Sequence, residues 1–202
     1  LTVFTSTYSR EFYKSRGNFI EIGGMEVARK GDDAQVQELL RKVASGKAFG
    51  TNAHMITAAE AKERFPLLEE DTIECAMWDP DAGLVTPRSQ SVAGDLVDEA
   101  VAAGKLQAFP YTPAEEIIVE NGRAVGVKTA KGTIMADYVV LCAGIWGSLV
   151  SETAKVKLPL MPVEHPLLFF GPWDALEGTG KDIVYPLFRD QVNSAYVRGK
   201  RL

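Results

Sequence analysis

Apolar positions along the 202 residues change their period as the chain proceeds. Val36, Leu39, Leu40 and Val43 recur at helical spacing, Asp32 stands where an N-cap belongs, and Gly46 stands where a helix would end. That spacing predicts a helix over 33–45 with one buried and one charged face. Thr57-Ala58-Ala59-Glu60 has the capping-box pattern and predicts a short helix that must stop before Pro66. A third helix is predicted from Thr86-Pro87 to Ala103, with Val92, Leu96, Ala100 and Val101 as its buried stripe and Gly104 at its end. The polar and aromatic opening run, residues 1–10, predicts no helix.

Beyond that helix the period falls from 3.6 to 2. Ile118-Val119-Glu120, the Asn121-Gly122 turn signal and alternating Val125 and Val127 predict a hairpin, and Lys131-Gly132 predicts a second turn before residues 133–135. Residues 138–142, Tyr-Val-Val-Leu-Cys, are apolar on both faces, as a central parallel strand requires. The run ends in Ala143-Gly144, a strand-to-helix turn where a ligand could approach the backbone. In the last third, prolines at 159, 162, 166, 172 and 186 break up apolar runs, which suits strands of a second sheet better than helices.

With 46% hydrophobic and 24% charged residues the chain reads as one or two globular domains. A net charge of −5 with scattered basic residues disfavours nucleic acid and anionic membrane as partners. The longest apolar stretch, residues 138–150, is about half of a bilayer crossing. Cys75 and Cys142, each among apolar neighbours, suit reduced core thiols, and with them a cytoplasmic compartment, or the mitochondrial matrix in a eukaryote. His54 and His165 have no second His or Cys at ligand spacing, so no metal site is expected. Gly178-Thr179-Gly180-Lys181 fails as a P-loop, because Asp182 stands where Ser or Thr must bind magnesium, and it is expected to be a surface turn. There is no G-x-G-x-x-G, so these residues hold no dinucleotide phosphate cradle of the usual kind.

Six blocks carry a resemblance when they are read in order. They are residues 22–28 (Ile-Gly-Gly-Met-Glu-Val-Ala), 64–68 (Arg-Phe-Pro-Leu-Leu), 80–88 (from Pro80-Asp81-Ala82-Gly83), 121–127 (Asn-Gly-Arg-Ala-Val-Gly-Val), 136–146 (ending Ala143-Gly144-Ile145-Trp146) and 159–165 (ending Val163-Glu164-His165). Together they resemble the D-amino-acid oxidase-like flavoproteins, in the branch of dimethylglycine oxidase, dimethylglycine dehydrogenase and sarcosine dehydrogenase. The resemblance implies an α/β (α+β) fold: part of a discontinuous FAD-binding α/β domain over residues 81–156, and a mixed-sheet substrate domain over 1–80 and 157–202. It also implies FAD as cofactor, hydride removal from an N-methylated glycine of the dimethylglycine or sarcosine type, and a phosphate-binding segment outside these residues. Both ends read as cut. On that expectation the 202 residues alone are inactive, bind FAD poorly and self-associate through an exposed apolar patch.

Residue by residue, Ala114 matches the position whose backbone meets the adenosine part of the cofactor, and Ala143, Gly144 and Trp146 match the strand-end motif lining the FAD site. Small residues at a strand end serve packing equally well, and of these positions Gly144 has the strongest reason for function, since a Cβ would obstruct the cofactor. His165 matches a histidine of the branch, although a lone histidine among Pro, Leu and Phe is expected to be a hydrogen-bonded core residue. Tyr196 and Arg198 resemble a Tyr-x-Arg strand facing the substrate, with a generic exposed strand arginine as the rival. Trp78 stands where some relatives carry histidine. No catalytic base stands out. A ligand-binding or interaction module without catalysis, and a glycine or sarcosine oxidase of a neighbouring branch, are the alternatives.

Overall fold

The structure, a computed structural model, describes residues 2–171 and 183–199. The chain forms two compact units, one made of Leu1–Leu96 with Phe170–Leu202 and the other of Val97–Phe169. The Gly178–Lys181 motif lies outside the described residues.

The first unit is built on a mixed five-stranded sheet. Its strands are β2 (Gly24–Arg29), β3 (His54–Thr57), β4 (Ile73–Asp79), β9 (Leu187–Asp190) and β10 (Ala195–Val197), in the order β10-β9-β2-β4-β3. β2 pairs with β9 in parallel, and every other pairing in this sheet is antiparallel. A small antiparallel ladder joins β1 (Phe19–Glu21) to β5 (Gly83–Val85). Five consecutive residues of β2, Gly24 to Ala28, are buried, because both faces of the sheet are covered there. On one side α2 (Asp33–Lys47) lies against β2 and β4 and buries Leu39 and Val43. The principal core gathers Met25, Val27, Ile56, Ala61, Phe65, Leu68, Ile73 and Ala76. Ala61 and Phe65 come from α3 (Ala58–Arg64) and the residue that caps it. Phe65 stacks on Phe188 at 5.1 Å between ring centroids, which ties the late strand β9 to a core laid down by the first 80 residues.

The helix starts follow their capping chemistry. Asp32 accepts a hydrogen bond from the Gln35 N–H at 3.0 Å. Thr57 and Glu60 complete the capping box, and α3 ends before Pro66. α2 runs two residues past the expected end at Ser45, through a buried Gly46 against which Thr51 packs. An additional helix, α1 (Thr2–Ser15), occupies the opening run where none was expected. It buries no residue and is held by polar contacts, Arg10 to Asp81 at 3.1 Å and Lys14 to Glu21 at 2.9 Å. Without an apolar stripe to bury, it left no periodic signal.

The helix expected from Pro87 is α4 (Ser89–Ala102), and its predicted stripe is a correction. Val92 is buried and Ala100 partly so, but the large side chains Leu96 and Val101 of that face are exposed. The second unit holds the antiparallel meander β6 (Ala114–Glu120), β7 (Arg123–Thr129) and β8 (Gly132–Met135). Asn121 and Gly122, with φ of 51° and 77°, make the hairpin turn that the dipeptide signalled. α5 (Gly147–Thr153) packs on β6, where Thr153 Oγ1 accepts from the Ile117 N–H at 2.9 Å.

Residues 138–142 depart from expectation. They join no sheet, and Tyr138 and Val140 are 84% and 81% exposed. An apolar run reports that a segment can be buried. A strand additionally needs a neighbouring backbone for its N–H and C=O groups, and among the described residues none lies alongside. Cys142, expected in a core, is therefore exposed, while Cys75 is partly buried and burial raises its thiol pKa. Strands expected in the last third are present as β9 and β10, but residues 156–171 form neither helix nor strand.

Candidate functional site

The β9–β10 hairpin carries the candidate substrate residues. Tyr196 lies in β10 directly opposite Arg189 of β9, and Arg189 is in turn the register partner of Glu26 in β2. Residues paired across strands project to one face, so Tyr196, Arg189 and Glu26 share a side of the sheet. Arg198 follows directly after β10, two residues beyond Tyr196. Glu26 is buried, and its carboxylate accepts from Lys42 Nζ at 2.7 Å and Gln35 Nε2 at 3.0 Å, which satisfies it within the α2 side of the sheet. Arg189, Tyr196 and Arg198 are exposed, and neither arginine has an ion-pair partner among the described residues. Two guanidiniums and a phenol there offer donors suited to a carboxylate.

The turn that joins these strands is tightly specified. Asp190, 3% exposed, accepts from Asn193 twice, from its backbone N–H at 3.2 Å and from Nδ2 at 2.8 Å. Its Oδ2 also accepts from Arg29 Nε at 2.9 Å and Nη2 at 2.7 Å. Burial pushes the Asp190 pKa up, but the Asn193 and Arg29 hydrogen bonds outweigh it and hold the carboxyl below the ordinary aspartate range. Sequence reasoning missed this group and Arg189. Asp-x-x-Asn before a strand was a legible turn signal, but nothing marked Arg29 as its partner.

The candidate cofactor residues belong to Val97–Phe169. Ala143 caps a turn of 3-10 helix, Gly144–Trp146, that leads into α5, and Ala143 C=O accepts from the Trp146 N–H at 3.0 Å. Gly144 has φ of +52°, a conformation that disfavours side chains, and a Cβ built there would meet nothing within 4 Å. The Trp146 side chain beside it is 62% exposed. Ala114 opens β6, the strand on which α5 packs, and is exposed. His165 corrects the expectation of a core histidine: it lies exposed in the irregular run 156–171, where no sheet forms to bury it.

A second polar group surrounds the turn after β4. Asp81 accepts from Asn52 Nδ2 at 2.9 Å and pairs with Arg10, while its own N–H donates to Asp79 Oδ1 at 3.1 Å. Burial raises the Asp79 pKa, and the hydrogen bond from Asp81 opposes the rise. Trp78, the departure from some relatives, packs its ring against Gly23 with the Arg64 guanidinium 5.2 Å from the ring centroid. This is a packing role that the described contacts account for.

The chain thus has a mixed α/β fold, with a five-stranded mixed sheet in one unit and a three-stranded meander in the other. The FAD dependent oxidoreductase (DAO) family matches residues 6–200, and the chain belongs to that family. Mitochondrial sarcosine dehydrogenase of Homo sapiens is 29% identical over 195 residues, covering 94% of this chain and 20% of that protein. Mitochondrial dimethylglycine dehydrogenase of Homo sapiens is 26% identical over 151 residues, 75% of this chain and 17% of that protein. The mitochondrial pyruvate dehydrogenase phosphatase regulatory subunit of Mus musculus is 28% identical over 158 residues, 77% and 17% respectively. Among solved structures, L-proline dehydrogenase from P. horikoshii superposes with a TM-score of 0.76 at 25% identity, covering 98% of this chain and 52% of that one. The chain thus spans about a fifth of the length of the curated relatives it matches.

Proposed function

We propose that this chain is part of an enzyme that oxidises the C–N bond of an N-methylated glycine of the sarcosine or dimethylglycine type. The observation that carries the reading is the exposed Arg189, Tyr196 and Arg198 group on the β9–β10 hairpin. The names of the sarcosine and dimethylglycine dehydrogenases among its relatives support it. When bound, FAD supplies the electron sink for hydride leaving the carbon beside the amine nitrogen. Ala143, Gly144 and Trp146, with Ala114, are the residues that would line its site, the Gly144 turn allowing close backbone approach. Arg198 holds the two carboxylate oxygens with its planar fork, and the Tyr196 hydroxyl donates a further hydrogen bond, so the substrate is bound by the end that does not react.

Arg198→Lys in the complete, FAD-loaded gene product tests this. The flavin spectrum should be unchanged while kcat/KM for sarcosine or dimethylglycine falls roughly tenfold to a hundredfold, because a point ammonium replaces a two-pronged contact. Unchanged kcat/KM for both amines would return Arg198 to the solvated surface and remove the reading.

The match to a phosphatase regulatory subunit favours a second reading, a binding module that does no chemistry. Turnover of any N-methylated glycine by the complete protein excludes it.

A further inference from the structure

Residues 29, 190 and 193 form a clasp that no part of the proposed chemistry uses, and it sits where the late strand β9 pairs in parallel with the early strand β2. Arg29 ends β2, Asp190 ends β9, and the two are 161 residues apart in sequence. Asp190 is almost wholly buried, yet its carboxylate is fully engaged, by Arg29 from β2 and by Asn193 from its own turn. The turn reverses through Ser194 at φ of 51°, a left-handed conformation held without glycine, and returns Ala195 opposite Asp190. Three side chains therefore define where β10 begins.

Where β10 begins decides what its side chains face. Side chains alternate along a strand, so a shift of one residue moves every one of them to the opposite side of the sheet. With Ala195 paired to Asp190, Tyr196 falls opposite Arg189. One residue out of register, Tyr196 would leave the face that Arg189 occupies. β10 is an edge strand of three residues with all three side chains exposed, so burial does not set this register. Among the described residues, the side-chain bonds that could set it are the part-buried ones of the clasp.

We infer that Arg29, Asp190 and Asn193 are positioning residues that fix the β9–β10 register and thereby present Tyr196, with Arg189, to a substrate carboxylate. The inference rests on the reading that this hairpin binds substrate. It assigns the clasp to substrate binding, so loss of the clasp raises KM and leaves the chemical step nearly intact.

The test uses the complete, FAD-loaded gene product, with KM and kcat for sarcosine and dimethylglycine. It also uses calorimetric binding of trimethylglycine, which has the carboxylate but no nitrogen lone pair to oxidise. Asp190→Ala should raise KM and the Kd for trimethylglycine by a similar factor, about tenfold, with kcat within about twofold. Arg29→Lys, which keeps a cation for Asp190, should by contrast retain most of the affinity. Should Asp190→Ala prove insoluble, Asn193→Ala opens the turn while keeping the ion pair and should raise both constants in the same way. Unchanged KM and Kd in Asp190→Ala, alongside a raised KM in Arg198→Lys, would overturn the clasp and leave the substrate reading standing. Unchanged values in Arg198→Lys as well would remove both.

Discussion

The two units treat their apolar residues differently, and the unit richer in them, Val97–Phe169, covers fewer. In the unit built on the five-stranded sheet, apolar positions are matched by covering elements: Leu39 is fully buried, Val27 is 1% exposed and Ala61 is 0% exposed. In Val97–Phe169, Val101, Tyr138, Val140, Ile145, Leu149, Met161 and Val163 are all exposed, several above 60%. Periodicity announces capacity for burial, and capacity becomes stability only where a second surface closes over it. The sheet unit has its second surface in α2, α3 and Phe65. The other unit has a meander and one short helix, with large apolar side chains left facing outward.

The contrast can be broken most sharply at Leu39. Leu39→Ala should cost about 2 to 5 kcal/mol by denaturant unfolding, because a buried isopropyl group is removed and a cavity remains. A loss below about 1 kcal/mol would mean that the sheet unit is no better packed than its neighbour. Next in size is Thr57→Ala, which removes one half of the capping box of α3 and should cost about 1 kcal/mol. Acid should act on the sheet unit through Asp190, whose folded pKa is depressed. Its contribution to stability is complete above the ordinary aspartate pKa and is lost as pH falls through the lower folded value. Amide protection factors at residues 187–197, corrected for the intrinsic slowing of exchange in acid, should therefore fall on acidification before those at residues 114–135 do. The smallest effect is expected at Val140→Ser, within about 0.5 kcal/mol, since an exposed side chain loses no packing. A loss above about 1.5 kcal/mol would show that residues 138–142 are covered in solution.

What was legible in the sequence was local. Asp32, the Thr57–Glu60 box and Asn121-Gly122 each hold their own partners within four residues, so the starts of α2 and α3 and the first hairpin could be read directly. What was missed depends on distant partners. The strand expected at 138–142 had the right side chains but, among the described residues, no backbone beside it, and Leu96 and Val101 of α4 found no cover. In the candidate site the alternation of Tyr196 and Arg198 was visible. The clasp that sets their register was not, because its two charged members are separated by almost the whole chain.

That separation also has a consequence in time. On a ribosome adding about 5 to 20 residues each second, β2 emerges on the order of ten seconds or more before β9 is made. Until then one hydrogen-bonding edge of β2 stays open, beside side chains as apolar as Met25 and Val27. Closing so long a loop adds an entropic cost that grows only as the logarithm of its length, so delay is the greater hazard than thermodynamics. The nascent chain passes through a period in which an unpaired, adhesive strand must be shielded, and overexpression at lower temperature or with added holdase chaperones should improve its soluble yield.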